Sequence, residues 1–385
     1  MAFAIGSWPG CDIYNPSLLT AADAAPEAAP LHLATIPSIP ADDDDSGLQK
    51  QNFVLAMQSI DVAVGLDGGP LPTGPLPPIG WDLDKVDTCP GAPSCVQPAG
   101  TIENCDDDAG RDHTGLKLFR ELGPSAQMGV AAVNQSMTAG EYGLLVQVTG
   151  YNGTLNDRQV SVALYFSSGV IGTDGGALAL NHDGYDAWSV DPRSIAGYMG
   201  GTSINGMDCG HGSGLCPPQY ATDAAYVSGG ILVANLGVVP ITFGGRANIG
   251  GAVMELNGTF LTGTLEPVSL FNNNTWRIKG GSISGRWQSQ KLLSNLATIP
   301  DPTTDAGLYL CGDADVPYQL LKKYICTLQD ISAIGMDNVG APCDAISMAF
   351  GFTAEPAQLG VVAPLPSTPQ GCTNGGLPFH DTCPQ

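Results

Sequence analysis

The sequence predicts a mainly β fold, an antiparallel β-sandwich of the jelly-roll kind with one or two short C-terminal helices and several disulfides. Three observations predict it. The 385 residues include 51 Gly and 30 Pro, which favours strands and turns over long helices. Period-two or β-branched runs recur between Gly, Asn and Pro turns. The gaps between these runs lack the regular amphipathic helices that parallel crossovers need, so antiparallel order is expected.

Charge and hydropathy exclude several classes of protein. The chain has 14 Lys+Arg against 37 Asp+Glu, a net charge of −23, and its few cations are scattered. A nucleic-acid binder needs a basic face to displace counterions, so that class is excluded. A hydrophobic fraction of 43% argues against wholesale disorder. No apolar run approaches the roughly 18 to 20 residues of a membrane-spanning helix, so a protein that spans the membrane is not expected.

Residues 1–46 are predicted to be an export and tether segment of low complexity. Met1–Trp8 is a short apolar stretch without a basic region or a full apolar core, so we expect an export signal that has been removed or truncated. Ala21–Asp45 is rich in Ala, Pro and Asp and cannot bury enough apolar surface to fold alone. Cys11 follows Ser-Trp-Pro-Gly and lacks the aliphatic residue usual before a lipidated cysteine; a lipid anchor there remains an alternative.

Residues 47–360 are predicted to form a single β-sandwich body. The pattern changes at Phe53, where two apolar runs, 53–57 and 60–64, follow the polar tether. Further strands are expected at Tyr142–Val148, Val160–Phe166, Tyr226–Ala234, Val238–Phe243, Val253–Leu261, Ser269–Ile278 and Ala345–Thr353.

A helical insert at about 287–333 interrupts the strands. Its first helix is expected at Trp287–Leu296 and its second at Pro317–Ile331. In the second helix five apolar residues share one face, which should pack against a sheet: Leu320, Leu321, Tyr324, Ile325 and Leu328. Residues 361–385 form a Pro- and Gly-rich tail that only a disulfide would hold.

The 11 cysteines fall in local groups with loop-sized gaps, which indicates disulfides and an oxidising compartment, outside the cell or on its outer surface. Structural zinc is the weaker alternative, because no pair has ribbon or finger spacing. Cys209–Cys216 and Cys372–Cys383 are the expected pairs, and a bond from Cys326 to Cys343 would pin the second helix to the last strand. The triplets 89/95/105 and 311/326/343 cannot be resolved by counting, and one thiol is left over.

Two acidic loops give the strongest local signal. The first contains Asp82, Asp84 and Asp87, and the second contains Asp106, Asp107, Asp108 and Asp112. Carboxylates so close repel each other, and Ca²⁺, which takes six to eight oxygen ligands, relieves that repulsion. We therefore expect Ca²⁺ at Asp82, Asp84, Asp106, Asp108 and Asp112. The loop is not an EF-hand, because Lys117 stands where the twelfth-position Glu would be; a solvated acidic loop stapled by Cys89, Cys95 and Cys105 is the alternative.

Catalytic motifs are weak or missing. Asp183 or Asp186 could act as a general acid or base with His182, although a polar turn leading into the strand of Trp188 explains the same residues. Ser213 lies in the Gly-rich Cys209–Cys216 loop but fails the Gly-x-Ser-x-Gly pattern. The histidines make no zinc helix, and no phosphate loop or dinucleotide fingerprint occurs. We expect no nucleotide, flavin or haem cofactor. The sequence favours a protein without enzymatic activity over an enzyme.

Glycan contact is a further hypothesis. Tyr185, Trp188 and Trp276 could stack on sugar rings, and Asn273 could supply hydrogen bonds. The competing interpretation places Trp276 in the core, since it alternates with Ile278 on one face of its strand.

Several short phrases resemble secreted or lipoprotein sequences of myxobacteria that have no established activity. They are Gly80-Trp81-Asp82-Leu83-Asp84, Gly110-Arg111-Asp112, Gly184-Tyr185-Asp186-Ala187-Trp188-Ser189-Val190-Asp191-Pro192, and Cys343-Asp344-Ala345-Ile346-Ser347 leading into Phe350-Gly351-Phe352. The resemblance covers about residues 50–360 and implies export, without a particular chemistry. The chain departs from the group at His113, where the group more often has Asn.

Together these features predict a secreted or surface-tethered protein, stabilised by calcium, that serves as a structural, adhesive or binding component of the cell envelope. Its partner would be another envelope component, a glycan or a second copy of itself. One alternative is an extracellular glycoside hydrolase that uses carboxylates such as Asp183, Asp186 and Asp191. Another is a subunit of a larger extracellular assembly, which exposed edge strands would permit.

Overall fold

In the computed structural model, the part of the chain that the structure describes begins at Ala34. Within it, the described residues are 34–44, 50–62, 79–89, 93–98, 104–107, 109–122, 124–170, 180–181, 184–198, 206–210, 216–243, 252–270, 273–299, 309–311, 316–335, 339–364, 372 and 377–384. Cys11 and the first part of the predicted tether lie outside these residues.

In the described part of the chain, nine strands form the main sheet. They are β1 (Gln51–Asp61), β2 (Gly143–Tyr151), β3 (Asp157–Ser167), β4 (Ala187–Val190), β5 (Tyr220–Ser228), β6 (Ile231–Phe243), β7 (Ala252–Leu270), β8 (Asn273–Gln288) and β9 (Ala345–Val362). The run predicted as one strand at Tyr226–Ala234 is a hairpin, because Gly229 and Gly230 both take positive φ and turn the chain between β5 and β6.

The sheet closes into an eight-stranded antiparallel barrel, so the predicted β-sandwich is wrong. The strand order is β1-β2-β3-β5-β6-β7-β8-β9, and β9 pairs back onto β1, with Ile60 opposite Phe352. Both architectures need strands with one apolar face, so the alternation of residues does not distinguish them. What distinguishes them is the long-range pairing of the first and last strands, which no local pattern records.

The barrel interior is a packed apolar core. Leu55, Met57, Leu144, Val146 and Phe350 are completely buried and belong to one cluster that draws on all eight barrel strands. Residues next to them in sequence point outward, as the period of two requires. The barrel is therefore filled by side chains, and any ligand site must be sought outside its lumen or at its rim.

The described residues include four α-helices: α1 (Gly115–Leu122), α2 (Pro124–Thr138), α3 (Ser289–Leu296) and α4 (Val316–Thr327). The first three pack against barrel strands, and α4 packs on α3. The sequence predicted α3 and α4 but missed α1, which has only eight residues, and α2, in which Gly129, Val130 and Val133 lower the helix propensity. Apolar residues such as Leu116 and Met137 anchor both helices in the core. Among the described residues, none of the helices has the length and hydropathy that crossing a membrane requires.

Strand β4 lies outside the barrel and pairs in parallel with the end of β9. It closes a second apolar cluster on the outer wall, in which Trp188 packs with Leu145, Tyr165 and Leu359. Trp188 is 1% exposed, so it is a core residue. Strand β4 and the Trp188 cluster thus cover one part of the outer wall of the barrel, and loops cover other parts.

Five disulfides link the described cysteines: Cys89–Cys105, Cys95–Cys343, Cys209–Cys216, Cys311–Cys372 and Cys326–Cys383. The Cys209–Cys216 bond is the one that the spacing predicts. The expected Cys372–Cys383 and Cys326–Cys343 bonds are wrong, because the C-terminal segment folds back over α3 and α4 and brings each of its cysteines to a different partner. This number of disulfides fits an oxidising, extracellular environment.

Part of the predicted tether lies against the barrel. Asp43 accepts a hydrogen bond from the Arg158 backbone, Asp44 accepts one from the side chain of Asn156, and the Tyr226 hydroxyl donates to the Pro37 carbonyl. The C-terminal segment is likewise attached, since Asp381 accepts hydrogen bonds from Tyr318 and Lys322 of α4. Residues 34–44 and 377–384 are therefore parts of the folded body.

Candidate metal site

The two acidic loops lie side by side on the outer wall of the barrel, over β8 and β9. The Asp112 amide donates to the Trp81 carbonyl at 3.1 Å, and the Asp82 amide donates to the Ala34 carbonyl at 3.0 Å. Gly80, at a φ of +96°, lets its loop lie against β9, because a Cβ there would stand 3.0 Å from the Cβ of Ala349. The backbone thus holds the two predicted ligand loops in register.

Three of the predicted ligands converge. A carboxylate oxygen from each of Asp82, Asp84 and Asp112 lies within 4.8 Å of the other two. Oxygens bound to one Ca²⁺ ion at about 2.3 to 2.6 Å are separated by at most twice that distance, so this cluster has the size of one Ca²⁺ coordination shell. A set made only of oxygen ligands favours Ca²⁺ or Mg²⁺ over softer metals.

The two sides of the cluster are held differently. Oδ2 of Asp112 accepts the backbone N–H groups of Leu83, at 2.5 Å, and Asp84, at 3.2 Å. Oδ1 of Asp82 accepts the Lys85 amide, whereas Oδ2 of Asp82 is buried without a hydrogen-bond partner. Because a buried carboxylate oxygen without a partner is costly, Oδ2 of Asp82 is available for a cation.

Backbone strain is concentrated in the same loops. Lys85, Cys89 and Ala109 take φ angles of 66°, 59° and 66°, and they are the non-glycine residues with positive φ among the residues that the structure describes. Such conformations are uncommon for residues with a Cβ and cluster where surrounding structure enforces them. Here the Cys89–Cys105 disulfide joins the two loops and helps to enforce them.

Burial makes the cluster electrostatically unfavourable without a cation. It raises the pKa of Asp82 to about 6, with the charges of Asp84 and Asp87 adding to the effect. Burial also raises the pKa of Asp112 well above its ordinary value, with Asp84, Asp330 and Asp106 contributing repulsion. A divalent cation would reverse this situation by favouring the ionised carboxylates.

Asp106 and Asp330 flank the cluster. Oδ2 of Asp106 accepts the Thr88 amide at 2.7 Å, and burial together with the charge of Asp84 raises its pKa to about 7. Asp330, which sequence analysis missed, accepts hydrogen bonds from the amide and hydroxyl of Ser347 on β9, and burial raises its pKa to about 6. A single Asp after a helix carries no sequence signal, so only the fold could find it. Asp108 lies outside the described residues.

His113 adds no positive charge to this region. Burial lowers its pKa to about 4, so the imidazole is neutral at physiological pH.

The other predicted sites are not assembled in the same way. Asp191 pairs with Arg193 at 2.5 Å and caps a 3-10 helix at Pro192–Ser194, while Asp186 accepts the Asn181 amide. These two carboxylates have structural partners, and His182, Asp183, His211 and Ser213 lie outside the described residues.

The four predicted glycan contacts also fall in different surroundings. Trp188 is buried under β4, and the Trp276 indole donates to Gln51 and packs edge-on against Tyr151. Tyr185 is 50% exposed, and the Asn273 side chain lies outside the described part of the chain. A glycan site at these residues is not supported by their placement.

Comparisons of the chain with protein-family models, with curated proteins and with solved structures find no significant match.

The raised pKa values predict that, once a chelator has removed Ca²⁺, the protein becomes less stable as the pH rises. Asp82 and Asp106 have pKa values of about 6 and about 7 in the folded state, against about 3.9 when unfolded. The folded state binds these protons more tightly, so their contribution to stability is full below the unfolded pKa and is lost as the pH rises through 6 to 7. In a chelator, the melting temperature should fall between about pH 4 and pH 7 and level off above that.

Thermal melts of Asp106→Asn check this expectation, because the variant should lose part of the pH-dependent fall. Asp223→Asn removes a charge from an exposed position on β5 and serves as the control. A melting temperature that rises over this pH range in the chelated wild type, or an equal response of both variants, would contradict the assignment.

Proposed function

We propose that this chain is an exported Ca²⁺-binding protein of the cell envelope, in which bound calcium fixes the loops that cover one wall of a disulfide-linked barrel. The observation that carries the proposal is the convergence of Asp82, Asp84 and Asp112, with Oδ2 of Asp82 buried and unpartnered. Millimolar Ca²⁺ outside cells suits a site of moderate affinity on a surface protein.

Further support comes from the construction of the site. Its loops are fastened by Cys89–Cys105 and Cys95–Cys343, and Asp330 links the same region to β9 through Ser347. A rigid frame of this kind holds like charges together without collapse, which is what a structural ion site needs. The role proposed is binding or structural, since the carboxylates lie over the barrel wall and not in a catalytic groove of paired acids.

Asp186 and Asp191 have structural hydrogen-bond partners, but Asp183, the third carboxylate of the hydrolase alternative, lies outside the described residues. Each of the eight barrel strands pairs on both sides, whereas β4 pairs with β9 alone, so the assembly alternative depends on β4.

Calorimetry and native mass spectrometry test the proposal on the intact chain. After EGTA treatment, Ca²⁺ should bind with measurable heat, add at least one calcium ion to the mass and raise the melting temperature by several degrees. Excess Mg²⁺ should compete weakly, because it requires a tighter octahedral shell. A chelated protein that gives neither heat nor a melting shift with Ca²⁺ would remove the metal site.

The envelope role is tested separately by co-sedimentation with purified envelope fractions. The protein should sediment with them in Ca²⁺ and be released by EGTA. Binding of calcium without sedimentation would leave the metal site in place and contradict the envelope role.

A further inference from the structure

A groove of about 540 Å³ lies on the outer wall of the barrel next to the metal loops. Its floor crosses β7, β8, β9 and β1, where Thr262, Ser282, Thr353 and Ser59 alternate in sequence with inward-pointing core residues. We call it the Trp81 groove, after the residue at its wall. Its volume lies within the range of about 300 to 1,000 Å³ found for ligand pockets.

The wall of the Trp81 groove belongs to the metal loops. Trp81 and Arg111 both line it, and each immediately precedes a carboxylate of the cluster, Asp82 and Asp112. The Trp81 indole donates to the Thr262 hydroxyl at 3.0 Å, which fixes the orientation of a ring that is only partly buried. An ion held by Asp82 and Asp112 would therefore fix the backbone positions of both wall residues.

The chemistry of the groove suits a neutral saccharide. A partly exposed indole offers an apolar face for the C–H groups of a sugar ring. The floor hydroxyls of Ser59, Thr262, Ser282 and Thr353 already have hydrogen-bond partners in the protein, and each oxygen keeps a lone pair that can accept from a ligand hydroxyl. Arg111 and Asp61 line the groove with opposite charges. A ligand with many hydroxyl groups and no net charge matches this mixture of donors and acceptors.

Other ligand classes match less well. An anion such as a phosphate or a nucleotide would approach a chain of net charge −23 beside a cluster of aspartates. A lipid chain would place hydrocarbon against the charged side chains of Arg111 and Asp61, which line the groove, and that is costly.

We propose that the Trp81 groove binds a short neutral saccharide and that bound Ca²⁺ positions its wall. A saccharide of this kind would be the ligand through which the protein binds the cell envelope. Only the calcium dependence of saccharide binding rests on the proposed function. It also places the glycan site away from Tyr185, Trp188 and Trp276.

A glycan array with neutral hexose and N-acetylhexosamine oligosaccharides, and with uronic acid oligosaccharides, tests the proposal on the Ca²⁺-loaded chain. Neutral probes should bind, and EGTA should lower their affinity. Titration calorimetry with the strongest array probe should show that Trp81→Ala weakens binding about ten-fold or more, as for a central aromatic contact. Trp81→Phe keeps an aromatic ring but loses the hydrogen bond to Thr262. Its affinity for the saccharide should therefore lie between that of the wild type and that of Trp81→Ala.

Tyr185→Ala, which removes an exposed aromatic ring elsewhere on the chain, is the matched control and should bind like the wild type. All three variants should keep the Ca²⁺-dependent melting shift, which shows that they fold. An array on which no saccharide binds, preference for the uronic acids, or unchanged binding by Trp81→Ala would overturn the groove assignment. Saccharide binding that is lost with Trp81→Ala but insensitive to EGTA would keep the groove and overturn its dependence on calcium.

Discussion

Asp112→Asn should abolish most of the stabilisation that Ca²⁺ gives to the chain. Asp112 is 2% exposed, and its Oδ2 accepts the Leu83 and Asp84 amides across the two loops. Asn retains an oxygen that can accept those bonds, but it removes the negative charge at the centre of the cluster. At a free Ca²⁺ concentration about 100 times the dissociation constant, bound calcium contributes about 2.7 kcal/mol, and this contribution should disappear.

Melting curves with and without Ca²⁺ measure the effect, and Asp223→Asn again controls for the loss of one charge on an exposed strand. In EGTA, Asp112→Asn should melt at or above the wild-type temperature, because removing a buried like charge relieves repulsion with Asp84 and Asp106. A variant that keeps the full calcium shift would show that Asp112 is not a ligand, whereas one that is much less stable in EGTA would show that its hydrogen bonds dominate.

The sequence specifies the strands of this protein better than their arrangement. β-branched runs and Gly turns locate most strands, because side-chain period and turn chemistry are local properties. Closure depends on β1 pairing with β9, nearly 300 residues away in sequence, as in the pairing of Ile60 with Phe352. A sandwich and a barrel place the same alternating residues inward, so the sequence pattern is consistent with both.

Part of the candidate site could likewise be predicted from the sequence, and part could not. Asp82, Asp84 and Asp112 could be recognised because closely spaced carboxylates are unusual unless something compensates their charge. Asp330 and the floor of the Trp81 groove could not, because isolated Ser, Thr and Asp residues acquire meaning only when the fold brings them beside the acidic loops. The disulfides show the same limit: Cys209–Cys216 is a local bond, whereas Cys95 and Cys343 are separated by 248 residues.

That long-range disulfide should be the most important covalent bond for stability. Cys95–Cys343 closes a loop of 248 residues, and Cys209–Cys216 closes one of 7. By the chain-entropy relation, opening the first should lower the free energy of unfolding by about 5 kcal/mol and opening the second by about 2 kcal/mol. Urea unfolding of Cys95→Ala/Cys343→Ala, with Cys209→Ala/Cys216→Ala as the matched control, measures the difference in Ca²⁺.

The same pair should also affect the metal site, which gives the prediction a second readout. Beside the disulfide, the Cys343 amide donates to the Val96 carbonyl and the Val96 amide donates to the Ala341 carbonyl, and the Cys95 sulfur contacts the Asp330 carbonyl. Without the bond, the segment that bears Asp330 is less constrained against the acidic loops, so Ca²⁺ affinity should weaken in Cys95→Ala/Cys343→Ala. It should stay unchanged in the control, because Cys209 and Cys216 belong to the outer cluster of Trp188. Equal losses of stability in the two double variants would mean that native-state strain, and not loop closure, sets the contribution of these bonds. An unchanged calcium affinity would separate the disulfide from the site, because it would show that hydrogen bonds alone hold the acidic loops in place.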